Sequence, residues 1–329
     1  MPRLIAALAV FLLLATPTWA KCTGQNLLAF PDKELKQQLT DALADQPYPT
    51  GNFWRATRNG QTLHLIGTYH LDDPRHDATI ATLTPLIQSA TTVLVEAGPA
   101  EETALKSAMA RDPSVMLITE GPSLLEQLRG PDWDALATAM QARGIPPFVA
   151  AKFKPWYVSL LLGIPPCAMA DIAAQNGLDK RVMRLADAAA IPVVALEPYD
   201  TILKMFATMP AADQLAMIRS TLPLEPRVAD FSATLENAYF AQDTRRIWEF
   251  MRIEAQSMPG YTPAQIDAEF ALMEEVLMSA RNRAWLPVIE ATAAKGSTFI
   301  AFGALHLSGR DGVLNLLAQS GWTLERLPL

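Results

Sequence analysis

Cysteine is nearly missing. The 329-residue chain has two, Cys22 and Cys167, which excludes a disulfide-dense miniature fold and any cysteine-rich zinc cluster. Histidine is almost as scarce: His64, His70, His76 and His306 are the full set, so an imidazole-based metal or acid–base site must draw on these four. Charged residues make up 19% of the chain against 50% apolar, which excludes a disordered polyelectrolyte. The net charge is −7 and there is no basic run, which excludes bulk binding to a phosphate backbone and with it nucleic acid as a partner. Beyond the first twenty residues no apolar run is long enough to span a bilayer. Val158–Ile164 comes nearest, and Pro165-Pro166 stops it.

Residues 1–20 read as a secretory leader. Arg3 stands near the start, Leu4–Ala15 is apolar, Pro17 breaks the run, and Thr18-Trp19-Ala20 ends on a small residue. Twelve apolar residues are short for a membrane helix. Lys21 ahead of Cys22 does not suit a lipoprotein cleavage site. The expectation is an exported, periplasmic protein of residues 21–329 with no stable membrane insertion after leader cleavage. In that oxidising setting Cys22 and Cys167 are read as a disulfide pair. The other use of Cys167, as a nucleophile, finds no supporting signature around it.

Local patterns predict the elements. Asn59-Gly60 between Phe53–Arg58 and Gln61–His70 is a hairpin signal. Asp77–Ala90 reads as a helix and Thr91–Val95 as a short buried strand. Helices interrupted by Gly-Pro follow to about residue 144, then Lys152–Ile164 and Leu178–Ala190. Ile191–Leu196 and Ser297–Phe302 read as strands, Asp311–Gln319 as a helix and Thr323–Leu327 as a last strand. Between them, about residues 201–294 read as mainly helical; the best helix is Ala264–Ala280, with Ile266, Phe270, Met273 and Leu277 on one face. The fold class is therefore α/β: a mixed, partly parallel sheet with helical cover, in one domain with a helical insertion.

The chemistry collects at strand ends, where open α/β sheets bind their ligands. Four apolar runs finish on polar residues: at Thr68-Tyr69-His70, at Glu96, at Glu197 and at His306. Two of these share a pattern, Ile66-Gly-Thr-Tyr-His-Leu71 and Phe302-Gly-Ala-Leu-His-Leu307. A glycine lets the chain turn sharply off the strand, and the histidine three residues on can fold back over the strand end. Two imidazoles and a carboxylate suit either an open metal site or a water-activating acid–base site. Arg281 falls on the apolar face of its helix and needs a carboxylate or an anionic ligand, with Asn282 beside it. Thr68 and Tyr69 are candidates to line the pocket, and Glu197 is either a site member or a cap. His64 is read as packing in its strand and His76 as part of a solvated loop.

This ordered set resembles the TraB/GumN family, related to the Tiki metalloproteases and more distantly to erythromycin-esterase-like and haem-binding lipoprotein folds. The resemblance rests on Leu63-His-Leu-Ile-Gly-Thr-Tyr-His-Leu71, Val93-Leu-Val-Glu-Ala97, Lys154-Pro-Trp156, Gly177-Leu-Asp179 running to Ala195-Leu-Glu197, Arg281-Asn282, and Ala301-Phe-Gly-Ala-Leu-His-Leu-Ser-Gly309 with Gly312. It implies a core of two related halves whose Gly-x-x-His motifs and acidic residue face one cavity. It implies His70, Glu96 and His306 as site residues with Arg281 nearby, and, by the Tiki likeness, divalent-metal peptidase chemistry.

Three functions follow as expectations. The first is a metal-dependent, peptidase-like hydrolase in which His70, His306 and Glu96 hold Mn²⁺, Co²⁺ or Zn²⁺ and Arg281 holds an anionic group of a peptide or small-molecule substrate. The second is a metal-independent, esterase-like hydrolase with a histidine base. The third is an envelope protein that binds peptide, haem or an export intermediate without turnover. The sequence does not set the oligomeric state.

Overall fold

The computed structural model describes residues 22–257 and 260–329; residues 1–20, expected to be a leader, lie outside them. Six strands, β1 (Phe53–Arg58), β2 (Gln61–Thr68), β3 (Thr92–Val95), β4 (Val193–Ala195), β5 (Thr298–Gly303) and β6 (Thr323–Arg326), form one sheet in the order β4-β3-β5-β2-β1-β6. The hairpin forms as its Asn-Gly signal predicts: Asn59 and Gly60 both take positive φ, 50° and 79°, as a tight hairpin turn that matches strand twist requires. β1 runs antiparallel to β2 and to β6, whereas β2, β5, β3 and β4 are mutually parallel neighbours. Register aligns Thr68 with Gly303, and Val95 with Ala301 and Ala195. The four polar-ended strands thus finish along one edge.

Short β-branched runs buried on both faces make such a parallel sheet stable. Phe53, Ile66, Val93, Val95, Phe299 and Ala301 point to one face, packed by helices His76–Gln88 and Leu178–Ala188 through Leu83, Ile87, Leu178, Val182 and Ala186. Leu63, Leu65, Leu94, Ile300 and Phe302 point to the other, packed by Trp285 and Ile289 of helix Ala280–Ala293 and by Leu314 and Leu317 of helix Val313–Gln319. Each fully buried side chain of this kind contributes roughly 1.5–3 kcal/mol. A third apolar cluster lies among helices alone, where Pro131–Ala142, Pro155–Leu162 and Ala211–Thr221 meet. Cys22 and Cys167 form a disulfide across 145 residues of chain. Among the described residues, no strand falls between β4 and β5.

Two local expectations change. His76 is not in a solvated loop; it opens helix His76–Gln88 and is completely buried. Arg75 clamps Asp73 with two bonds at 2.8 Å, and Arg181 holds Asp72 at 2.7 Å. These pairs fold the polar stretch outward and press His76 among Tyr69, Tyr239 and Phe240, where its Nε2 bonds Leu71 O at 3.1 Å. The helix expected over Ala264–Ala280 forms as Pro263–Glu274 and then passes through a π-turn, Glu275–Ser279, into Ala280–Ala293. Such a turn holds an extra residue and re-aims the side chains after it. The next residues are Ala280, Arg281 and Asn282. His64 sits half-buried beside Phe53, as packing in the strand predicts.

Candidate functional site

Glycine decides how closely the two Gly-x-x-His turns approach. A Cβ on Gly67 would lie 2.7 Å from Leu307 Cδ1 and 2.8 Å from Ala304 Cα, so only glycine lets the second turn pack on the end of β2. Gly303 is different. Its φ is −51°, open to any residue, but the space above its Cα is where the site converges. A Cβ there would lie 3.2 Å from Glu96 Oε1, 3.6 Å from His70 Nε2 and 3.7 Å from His306 Cδ2. The structure thus brings together three of the residues that the sequence singles out.

Glu96 leaves β3 and is held at both oxygens: Gly303 N donates to Oε1 at 2.5 Å and Arg281 Nη2 to Oε2 at 2.8 Å. Arg281 also grips Glu197 in a fork, Nε to Oε2 at 2.9 Å and Nη2 to Oε1 at 2.7 Å. Its Nη1 serves Leu277 O at 2.9 Å and His306 Nε2 at 3.2 Å. All five guanidinium N–H groups are therefore engaged, which leaves none for a substrate anion. Glu197 is further fixed by Trp285 Nε1 at 2.9 Å, so it joins the site network through Arg281.

Arg281 can only donate, so His306 Nε2 accepts and the proton sits on Nδ1. Nδ1 faces Asn282 Oδ1 at 2.6 Å, and the Asn282 amide nitrogen donates to Asp311 O at 2.9 Å, which sets the amide's orientation. Burial, with Arg281 beside it, pushes the His306 pKa down to about 4, so the ring is neutral at neutral pH. Burial would raise Glu96, but the His306, Arg281 and His70 charges and the Gly303 N–H outweigh it and hold the carboxyl at about 2.

His70 has the opposite character. Burial opposes its charge, yet the nearby Asp179 carboxylate, with the charge of Glu96, raises its pKa to about 8. Its side chain is 62% exposed, so solvent weakens the opposing burial effect and the upward direction stands. Asp179 Oδ1 lies 3.3 Å from His70 Nδ1. Beyond the Gly177-Leu-Asp179 segment of the resemblance, nothing in the sequence points to Asp179. Thr68 and Tyr69 do not join the polar centre. Thr68 is buried with its hydroxyl unpartnered among the described residues, and Tyr69 stacks on Tyr239 at 5.3 Å, away from Gly303.

A three-ligand metal ion does not fit this donor arrangement. His306 turns a carbon, Cδ2, toward the space over Gly303, and both its nitrogens are engaged. Both Glu96 oxygens carry a donor. Of the imidazole atoms nearest that space, His70 offers a nitrogen, Nε2, and His306 a carbon, Cδ2. Among the described residues no group of three or more His, Cys, Asp or Glu side chains is arranged to hold an ion.

Comparison with curated proteins gives no match. A family model does match, over residues 52–326, from just before β1 through the end of β6 and across every site residue named above. The chain belongs to the TraB/PrgY/gumN family.

Proposed function

We propose that the protein is an exported hydrolase that activates water in the space over Gly303, with His70 as general base. One observation carries the reading: His70 Nε2 and Glu96 Oε1 both reach that space, at 3.6 and 3.2 Å from a Gly303 Cβ position. A base works best with a pKa near the operating pH. His70, at about 8, meets that condition, whereas Glu96 at about 2 and His306 at about 4 hold their protons too weakly. The neutral His70 takes a proton from water as the hydroxyl adds to an ester or amide carbonyl, and returns it to the leaving group. Glu96, kept ionised by Arg281, favours the imidazolium formed on the way. Export is supported by the leader pattern of residues 1–20 and by the Cys22–Cys167 disulfide.

The metal-dependent, peptidase-like alternative draws on the same three residues, His70, Glu96 and His306, which border one space. It requires Arg281 to release His306 and Glu96 and rest on Glu197, which it already holds by two bonds. The test assays residues 21–329 against p-nitrophenyl acetate and a quenched-fluorescence peptide pool, with and without EDTA. Turnover that survives EDTA, rises through pH 8 and falls about 100-fold or more in His70→Ala is the expected result. Loss with EDTA and recovery with Mn²⁺, Co²⁺ or Zn²⁺ supports the metal reading. Binding of the peptides without turnover replaces both with a binding protein.

A further inference from the structure

We propose that the two Gly-x-x-His histidines are divided in role by their Nδ1 partners, and that Asp179 is the positioning residue that makes His70 the proton-transfer group. The inference rests on the hydrolase reading for its chemistry, but its geometry stands alone. Both imidazoles present Nδ1 to a side chain of another segment. For His306 that partner is Asn282, a neutral amide at 2.6 Å; for His70 it is Asp179, a carboxylate at 3.3 Å. An amide orients a ring without favouring its charge. A carboxylate orients it and favours the imidazolium as well.

The placement of Asp179 is built in. Gly177 lies against the His70 backbone so closely that a Cβ would come within 2.2 Å of the His70 carbonyl oxygen. Leu178 N donates to Tyr69 O at 2.9 Å, and the Leu178 side chain is fully buried in the core. The start of helix Leu178–Ala188 is thus fastened to the turn that carries His70. Arg181, one residue pair further on, holds Asp72 on the other side of that turn at 2.7 Å. Asp179 stands in the first turn of its helix, where the backbone dipole favours a carboxylate.

That carboxylate has no competing task. Gly177 is the N-cap, and no side chain caps the helix. Asp179 Oδ1 is buried, accepts no hydrogen bond among the described residues, and stands 3.3 Å from His70 Nδ1. Lys180, its neighbour, is paired with Glu102 instead. With Nδ1–H turned to Asp179, the bare Nε2 is the nitrogen that faces Gly303. The second histidine cannot take this part, because Arg281 occupies its Nε2.

The test reads the tautomer directly and needs no substrate. With four histidines in the chain, ¹⁵N-histidine labelling and one His→Gln variant at a time assign each ring. Long-range ¹H–¹⁵N spectra recorded well above the His70 pKa then show which nitrogen keeps the proton. The expected wild-type result is a His70 Nδ1–H tautomer, and in Asp179→Ala a shift toward Nε2–H with the His306 signals unmoved. Asp179→Asn, of equal size, should keep the Nδ1–H form, as Asn282 does for His306, while lowering the pH at which the His70 ring titrates; Asp179→Glu should keep both. A wild-type Nε2–H ring, a tautomer unchanged in Asp179→Ala, or a His70 titration unmoved in Asp179→Asn overturns the proposal. Turnover of p-nitrophenyl acetate separates the two ideas. If the hydrolase reading holds, Asp179→Asn lowers kcat about 100-fold or more with KM nearly unchanged. If the tautomer shifts while turnover does not, the positioning contact stands and the hydrolase reading falls.

Discussion

Gly303→Ala places one methyl group at the point where the proposed reaction occurs. The backbone there, φ −51° and ψ 134°, suits alanine, so the substitution carries no conformational penalty. The methyl carbon would stand in ordinary contact with His70 Nε2 at 3.6 Å and His306 Cδ2 at 3.7 Å. It would be tight only against Glu96 Oε1, at 3.2 Å, and that oxygen is anchored by Gly303 N at 2.5 Å and yields little. Loss of glycine's freedom in the unfolded chain returns about 0.4–1 kcal/mol. The two effects offset each other, and the free energy of unfolding from urea titration should stay within about 1 kcal/mol of wild type. Activity should not survive, because the methyl fills the space a water needs between His70 and Glu96. Losing water activation costs about 100-fold or more, or roughly 3 kcal/mol in the barrier. Gly67→Ala is the control: its Cβ would meet Leu307 and Ala304 below 3.0 Å, so it should lower stability first. Full turnover by a stable Gly303→Ala protein refutes the placement of the reaction over Gly303.

Two further predictions concern the charge network. Arg281→Met leaves Glu96 and Glu197, 21% and 10% exposed at the side chain, without their shared cation, and should cost about 3–5 kcal/mol in urea unfolding; a loss below about 1 kcal/mol would mean that the two carboxylates do not depend on it. Acid should weaken the fold in two steps. His306 is held near 4 against an ordinary 6.5, so the unfolded chain takes up its proton first. The stability it contributes is present above pH 6.5 and drains as pH falls toward 4, by about 3 kcal/mol at most. Glu96, held at about 2 against 4.5, adds a second loss between those values. Urea midpoints followed from pH 7 to 3 should show the first decline in wild type and not in His306→Gln; an equal decline in both sinks the assignment.

Much of the frame was legible in local sequence because its causes are local. Asn59-Gly60 supplies the two positive-φ residues that a tight hairpin needs. The short β-branched run Thr92–Val95 forms a strand buried between helices, and Val193–Ala195 pairs with it as a partly exposed edge strand. The gain or loss of polarity at their ends marks the edge where chemistry gathers. His70, Glu96 and His306 are read from that pattern, and they meet over Gly303.

The protonation states and pairings were not legible, because they depend on contacts between distant segments. Arg281 is 185 residues from Glu96 and 84 from Glu197; a π-turn that no periodicity announces precedes it. Asp179 reaches His70 only because a helix start is fastened to a strand-end turn. His76 looks solvated beside Asp72, Asp73 and Arg75, yet those charges pair away from it and leave it in an aromatic core. The sequence by itself determined which residue types stand at the strand ends, since strand period and glycine turns are short-range properties of the backbone. Only the tertiary structure decided which histidine is charged, which nitrogen is free and where the arginine is spent. Those follow from the electric field and hydrogen-bond partners at each ring, and segments far apart in the chain supply them.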